Sequence, residues 1–515
     1  VPAGPVTTVG ERRQRTINQM ALTMLATRLN DDALRGDLPL TRANNSSFTF
    51  TRAFSVAAIS AGALPENTQA AVEALRVELA RLEAHGFSEQ EFQRALDEVT
   101  AAAQQQFEGR GSRQDDQFGD QLVERDLTGA PMMSPEQQYE VDTSILASLS
   151  VADMDAALAD LFATYEPQIL VVGPDEAAIP TPEQLVEGFT APLDATPEPR
   201  EDPEPIDALM DRPEPVFADD VEVDDTLGFA TVTFPNGATV KLWQTTIAEN
   251  IVTLEAVSFG GTSVVDVEDV PEAELITQVV ARSGVGDADA ATYRQFVADR
   301  LVSVQPWISE TREGFRGVAA SEDVEVMLQT LHLLMTAPRA DDVAFDTVIA
   351  EYAAQDAART DTPDLVITDA LIEAYYSGDP RYFTTPSASQ LDAFDRDRAR
   401  AIFEERFSNA GDFVFAFVGD FDQDAISDLL TRYIGTLPGT AEREAFADNQ
   451  PLPPREVQLV TVEAGTDPQG ELRLYFTNPS ATDLEARTTA RILELIVNAN
   501  LRDRIREELA ATYSP

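Results

Sequence analysis

The sequence predicts an α+β fold, in which layered α/β domains each carry a mixed or antiparallel sheet that is covered by helices. Three observations lead to this prediction. Two segments resemble two others further along the chain, an Asn-Gly pair separates two alternating stretches at 229–244, and a Pro/Glu-rich segment divides the 515 residues. A chain of this length holds about two to four domains. We therefore expect tandem homologous domains in two halves that are joined by a linker.

The similar segments indicate that one module occurs twice. GFSEQEFQRALDEVTAAAQ around Phe92 resembles RADDVAFDTVIAEYAAQDA around Phe345, and both have the pattern of an amphipathic helix entered through an acidic turn. PQILVVGPDEAAI at 167–179 resembles FVFAFVGDFDQDAI at 413–426. A duplication with so long a period is typical of a chain built from similar domains.

Residues 1–180 form the first predicted module. Apolar residues at near-helical spacing predict a helix at 11–30, and an alternating segment rich in β-forming residues predicts a strand at 46–62. The same reasoning predicts three further helices and one strand, namely helices at 65–85, 88–107 and 151–163 and a strand at 168–173.

Residues 181–225 are predicted to be a Pro/acidic linker. Ten of the 31 prolines lie at 174–215, mixed with Glu and Asp as in TPEPREDPEPIDALMDRPEPV. Proline at this density removes backbone donors and interrupts helices and sheet ladders, so an extended and semi-rigid segment is expected. The acidic run from Asp219 to Asp225 is interpreted as solvated linker.

Residues 226–440 form the second predicted module, and 441–515 begin a further one. FATVTFPNGATVKLWQ carries Asn236-Gly237 between two alternating runs, which indicates a hairpin. A third strand is expected at 250–261, followed by helices at 271–283, 288–301, 321–335 and 342–357, a strand at 412–418 and a helix at 423–434. Beyond 440, we expect strands within 454–479 and a helix at 482–509.

The composition excludes several classes of function. The chain has 37 basic and 90 acidic residues and a net charge of −53, so it lacks the basic footprint that nucleic acids and anionic lipids require. No apolar run is long enough to insert into a membrane. The absence of cysteine excludes disulfides and thiolate zinc sites. Only Lys241 is a lysine, which fits either a GC-rich genome or adaptation to salt.

The histidines do not form a metal site by themselves. His85 and His332 are the only two, they lie in different modules, and zinc needs three converging protein ligands. His85 precedes Gly86 at a helix end and His332 lies in an apolar helix, so structural roles are expected for both. Trp243 and Trp307 are interpreted as core or packing residues.

The last fifteen residues, LRDRIREELAATYSP, resemble the end of a pitrilysin/insulinase-type zinc metallopeptidase, an inverzincin. In that family a helix of the final domain carries Arg and, after six further residues, Tyr, which here are Arg506 and Tyr513. FVGDFD at 417–422, followed by a helix and LPG, resembles the family's strand-turn-helix signature, and YYSGDPRYFTTP at 375–386 resembles its bacterial periplasmic branch. RTINQMALTMLATRL resembles a helix of the family's second domain.

The resemblance implies two α/β halves that close like a clamshell around a peptide. In members of that family, the catalytic zinc sits in domain one, on an inverted H-x-x-E-H helix. This chain has no such motif. The resemblance maps 1–180 to the second domain, with its start possibly truncated, 226–440 to an inactive third domain, and 441–515 to a truncated fourth. We therefore expect a fragment whose zinc domain lies upstream in the same gene or on a partner chain.

The resemblance also assigns site residues. The helix equivalent to the zinc helix is PEAELITQVVARSGVG at 271–286, where metal ligands would fall near positions that carry none: Ile276, Thr277, Val279 and Val280. Arg506 would hold the substrate backbone and Tyr513 would donate to the oxyanion, the alternative being ordinary helix-end residues. Gly260 and Gly261 are weaker substrate-binding candidates beside a strand at 251–260 that is expected at a sheet edge, and a tight turn is their alternative.

The function implied is that of the central and C-terminal part of a periplasmic or envelope-associated zinc metalloendopeptidase. This part would provide the chamber wall and bind peptide substrates, but would hold no zinc and would be inactive alone. The alternative is a non-catalytic family member that acts as an assembly or peptide-binding subunit.

Overall fold

A computed structural model describes residues 6–51, 54–113, 115–165, 167–173, 179–202, 204–359, 362–449, 456–465, 470, 472–475 and 483–508. The chain divides into two compact units. Unit 1 comprises residues 1–359 and 385–449, and unit 2 comprises residues 360–384 and 450–515.

The first part of unit 1 is a helical layer on a two-stranded antiparallel sheet. Its elements are α1 (Val9–Arg35), β1 (Arg42–Thr51), β2 (Phe54–Gly62), α2 (Thr68–His85), α3 (Glu89–Glu108), α4 (Asp115–Thr128), α5 (Pro135–Leu146) and α6 (Val151–Thr164). Thr8 and Glu11 form a capping box at the start of α1, and Gly36 ends the helix in the left-handed region. The core beneath α1 contains Met20, Leu25, Phe92 and Met154.

The four helices predicted here are confirmed, whereas the strands need correction. The segment expected to be one strand at 46–62 belongs to two, since β1 pairs antiparallel with β2. The strand predicted at 168–173 is wrong, because these residues pair with no described strand and Leu170 and Val172 are each 85% exposed. An alternating sequence becomes a strand only where another backbone is free to pair with it. The duplication of the module stays a prediction.

The predicted linker contains more structure than its prolines indicate. Helix α7 (Pro182–Thr190) begins at Thr181, whose side chain accepts from the Gln184 N–H, and its proline lies in the first turn, where no backbone donor is needed. Residues 191–202 and 204–219 contain neither helix nor strand. The acidic run is exposed to solvent as expected, but it forms strand β3 (Asp220–Asp224), which pairs with the following strand through a turn held by Asp224.

The second part of unit 1 is built on a seven-stranded mixed sheet. Its strands are β3, β4 (Phe229–Thr233), β5 (Thr239–Gln244), β6 (Ile251–Phe259), β7 (Val302–Ile308), β8 (Arg312–Ala320) and β9 (Val414–Gly419), in the order β3-β4-β5-β9-β6-β8-β7. Only the β5–β9 pair is parallel. The predicted mixed sheet is confirmed, as is the hairpin at Asn236-Gly237, where Gly237 adopts a φ of 87°.

Helices cover one face of this sheet. They are α8 (Val270–Ala281), α9 (Ala290–Phe296), α10 (Val324–Thr336), α11 (Asp342–Ala357), α13 (Ala388–Asp392), α14 (Arg396–Phe407) and α15 (Gln423–Tyr433). The inward side chains Phe315, Phe415 and Phe417 are fully buried against Leu275 of α8 and Leu331 of α10. The helices and the two strands predicted for this region are confirmed, and β7, β8, α13 and α14 were not predicted.

Unit 2 contains α12 (Pro363–Tyr376), α16 (Leu484–Leu501) and a π-helical segment at Arg502–Glu508. The helix expected at 482–509 is confirmed over the described residues. The strands expected within 454–479 are not present in residues 456–465, 470 and 472–475, and the rest lies outside the described residues. Val457 is 99% exposed and Leu459 is 89% exposed, because no described strand offers them a partner.

A buried ion pair joins α1 to α3. Arg28 is 1% exposed, its Nε donates to Glu91 Oε1 at 2.7 Å, and its guanidinium lies 5.1 Å from the centre of the Phe87 ring. Burial alone would raise the pKa of Glu91, but the hydrogen bonds and charge of Arg28 outweigh burial and hold that pKa below its ordinary value. Arg200 of the linker forms an ion pair with another carboxylate of α1, Asp32, at 2.6 Å.

Removing one partner of this pair is expected to be costly. Arg28→Met should lower the free energy of unfolding by roughly 3–5 kcal/mol, because it leaves the Glu91 carboxylate buried without its main partner. The double change Arg28→Met with Glu91→Leu removes both charges and should cost much less. Urea unfolding at pH 7 followed by circular dichroism measures both, and equal losses in the single and double variants would contradict this account.

Candidate functional site

Helix α8 is the segment that the resemblance equates with a zinc helix, and its inward side is apolar. Ile276 and Val279 are fully buried, Val280 is 1% exposed and Thr277 is 6% exposed. They belong to the core, or lie against it, on the sheet face that the helices cover. These side chains stabilise the layer by removing apolar surface from water, and none of them is a metal ligand.

The other side of α8 carries two polar side chains. Gln278 Nε2 donates to the Tyr352 hydroxyl of α11 at 2.6 Å, which ties the two helices together. One turn earlier lies Glu274, where burial raises the pKa to about 7. This carboxyl is therefore about half protonated near neutral pH.

The two histidines have structural environments. His85 ends α2, and its Nε2 donates to the Pro197 carbonyl of the linker at 2.8 Å. His332 lies in α10, and its Nδ1 donates to the Tyr433 carbonyl at 2.8 Å. Burial lowers the pKa of His332, which keeps the ring neutral.

The described residues do not provide a metal centre. Within them, no group of three or more His, Asp or Glu side chains is close enough to hold a metal ion. Some of the acidic side chains instead form ion pairs with arginine, such as Asp31 with Arg94 at 3.0 Å and Asp269 with Arg398 at 2.7 Å. Arginine suits such pairs because its planar group binds carboxylates in a fixed geometry.

The structure places only one member of the predicted oxyanion pair. Arg506 lies in the π-helical segment that continues α16, and it is partly buried. Tyr513 lies outside the described residues, so the structure does not test whether the two side chains converge. The roles of Arg506 and Tyr513 therefore stay predictions.

Gly260 and Gly261 form a tight turn after β6. Their φ angles are 138° and 58°, and a Cβ on Gly261 would come within 2.2 Å of the Ser309 carbonyl oxygen. The Gly261 N–H donates to Glu313, a fully buried carboxylate that also pairs with Arg406 at 3.2 Å. The turn accounts for both glycines, and no described contact assigns them to substrate binding.

The strand beside these glycines is not at a sheet edge, contrary to the expectation. β6 pairs antiparallel with β8 on one side and with β9 on the other, so its backbone donors and acceptors are already used. Strand addition requires a free edge. In this sheet the two edges are β3 and β7.

Of the two interpretations of Trp243, as a core or a packing residue, the core one is wrong. It is 49% exposed, because Val240 and Leu242 point inward and Trp243 therefore points away from the helices. Trp307 is partly buried on the same side of the sheet, with the Arg316 guanidinium 4.7 Å from its ring centre. The alternation in TVKLWQ was the available signal, but it defines two sides without saying which one the helices cover.

The burial of Glu274 leads to a testable pH dependence. A carboxyl whose folded-state pKa is raised contributes stability below its unfolded value near 4.5, and that contribution is lost as the pH rises through about 7. The unfolding free energy of Glu274→Gln, relative to that of the native protein, should therefore increase by up to about 3 kcal/mol between pH 4.5 and 8. Denaturant unfolding of both proteins across this range checks it, and a constant difference would refute it.

No helix within the described residues is both long and apolar enough to cross a membrane.

Comparison with known proteins gives the chain's relatives. Residues 393–515 match the family model described as the peptidase M16 inactive domain. The chain is 21% identical over 477 residues to the probable zinc protease PqqL of Escherichia coli, covering 87% of this chain and 48% of that protein. It is 22% identical over 265 residues to the Haemophilus influenzae PqqL, covering 52% of this chain and 28% of that protein.

Solved structures agree in fold. The periplasmic protease PqqL from Escherichia coli matches with a TM-score of 0.52 and 17% identity, covering all of this chain and 57% of that one. A mutant of the ferredoxin protease FusC, in complex with Arabidopsis ferredoxin, matches with a TM-score of 0.54 and 17% identity, covering 86% of this chain and 49% of that one. This chain thus spans about half the length, or less, of the curated relatives it matches. The chain is thus similar in sequence to the PqqL zinc proteases and similar in fold to the solved PqqL structure, and its residues 393–515 match the peptidase M16 inactive-domain model.

Proposed function

We propose that this chain is the part of a zinc metalloendopeptidase that encloses and binds the peptide substrate without holding the zinc. The observation that carries the proposal is α8. At the positions where the resemblance expects ligands, this helix has core side chains that are at most 6% exposed. The match of 393–515 to an inactive peptidase domain supports the same division of labour.

The zinc would then reside in an N-terminal domain, in the same gene or on a partner chain. The described residues do not fit a metal ion, so we assign no metal chemistry to them. The chain's own contribution would be to bind and orient an extended peptide within a closed chamber. Since the Escherichia coli relative is a periplasmic protease, we place this protein in the periplasm or the cell envelope.

Arg506 and Tyr513 would act on the reacting peptide. Arg506 would hold a backbone carbonyl of the substrate, and the Tyr513 hydroxyl would donate a hydrogen bond to the oxyanion that forms on the scissile carbonyl. A positioned donor of this kind stabilises the transition state by roughly 3 kcal/mol. Neither group reacts by itself, so residues 1–515 alone would be inactive.

The test uses the longer protein that carries the zinc domain. Arg506→Ala and Tyr513→Phe should each lower kcat/KM for an unfolded peptide by about a hundredfold, with unchanged zinc content. Arg487→Ala, a change of an exposed arginine on α16, is the matched control and should retain activity. A fluorogenic peptide assay with metal analysis measures all three variants.

Two outcomes would count against the proposal. Unchanged turnover in both site variants would favour a non-catalytic assembly or peptide-binding subunit. Purified residues 1–515 that contain stoichiometric zinc and cleave peptides would contradict the assignment of the metal to another domain.

A further inference from the structure

The seven-stranded sheet has a face that its packed helices do not cover. Helices α8, α10 and α14 pack on the side that carries Phe315, Phe415 and Phe417. The opposite side, here called the open face, is formed by the alternate residues of the same strands. Trp243 and Phe259 are 49% and 52% exposed there.

The open face concentrates residue types that the chain uses rarely. Both tryptophans, Trp243 and Trp307, and the only lysine, Lys241, lie on it. Strands β9, β6 and β8 lie between the two tryptophans, and the outward side chains of β9, the strand next to Trp243, are the small residues Val414, Ala416 and Val418. The small side chains of β9 beside the Trp243 ring leave room for a peptide chain to lie across the strands.

Two of the cations on the open face, Arg316 and Lys241, differ in what they already bind. The Arg316 guanidinium lies over Trp307 and pairs with Glu255 at 3.3 Å, so its charge is matched. The Lys241 ammonium lies 4.5 Å from the centre of the Phe229 ring. Within the described part of the chain, no carboxylate lies within ion-pair distance of Lys241, although acidic residues number 90. Its charge is therefore available to an anionic ligand.

An irregular segment of the chain itself lies at the rim of this face. Residues 441–449 contain no helix or strand. Arg443 Nη2 donates to Thr239 Oγ1 at 2.6 Å, and the Phe446 ring lies 6.2 Å from the ring of Phe259. One aromatic side chain of the open face, Phe259, thus already packs against an aromatic side chain of an irregular segment.

We propose that the open face binds an extended peptide segment that carries aromatic side chains and an acidic residue. The acidic side chain pairs with the Lys241 ammonium, and the aromatic side chains pack against Trp243 and Trp307. This inference rests on the proposed function only in taking the peptide to be a substrate. Binding to residues 1–515 is measured without hydrolysis, so its failure would leave the peptidase proposal standing.

The experiment is a fluorescence titration of residues 1–515, because both emitting tryptophans lie on the open face. The probe is an acetylated and amidated octapeptide that alternates glutamate with phenylalanine. It should change the emission saturably, and its glutamine analogue should bind about three- to fivefold more weakly. Trp243→Phe should remove most of the change.

Lys241 variants separate charge from packing. Lys241→Gln should weaken the glutamate peptide about three- to fivefold and leave the glutamine peptide unaffected, whereas Lys241→Arg should retain the preference. Arg432→Gln, on α15 and paired with Asp428, is the control and should bind as the native chain does. Equal binding of the two peptides, an unaffected Lys241→Gln, or no binding of either peptide would overturn the proposal.

Discussion

The pairing of β9 between β5 and β6 is the constraint on which the second part of unit 1 depends. β9 begins at Val414, more than 150 residues after β6 ends at Phe259, yet it bonds to β5 in parallel and to β6 antiparallel. Without β9, strands β5 and β6 would each have one side without a hydrogen-bonding partner. Its inward residues Phe415 and Phe417 are fully buried, so the same strand supplies the hydrogen bonds of the ladder and the centre of the core.

This arrangement also explains why local features were predictable and strand pairing was not. Helices α1, α3 and α15 follow from spacing and capping residues that lie within a few positions of each other. A strand depends on a partner elsewhere in the chain. The predicted strand at 412–418 found two partners, whereas the one at 168–173 found none among the described residues. Hairpin β4–β5 was predictable because Asn236-Gly237 makes its pairing local.

The sequence was enough to predict the absence of metal ligands on α8, but not which sheet face is left uncovered. The sequence was enough to expect that α8 carries no metal ligands, since no backbone arrangement turns Ile276 or Val279 into one. It did not reveal the open face, because the alternation in β5 leaves undecided whether Val240 or Lys241 points to the core. The answer came from the helices, which bury Val240 completely and leave Lys241 outside.

The excess of negative charge bears on what such a face can select. With a net charge of −53, the chain repels acidic ligands at long range, but ions screen that repulsion beyond about 8 Å at physiological salt. Selection on the open face must therefore come from contacts at short range. Arg316 is neutralised by Glu255, while Lys241 stands above Phe229 without a described carboxylate beside it. An unmatched cation such as Lys241 can favour an anionic group through direct contact, even on a chain rich in acids.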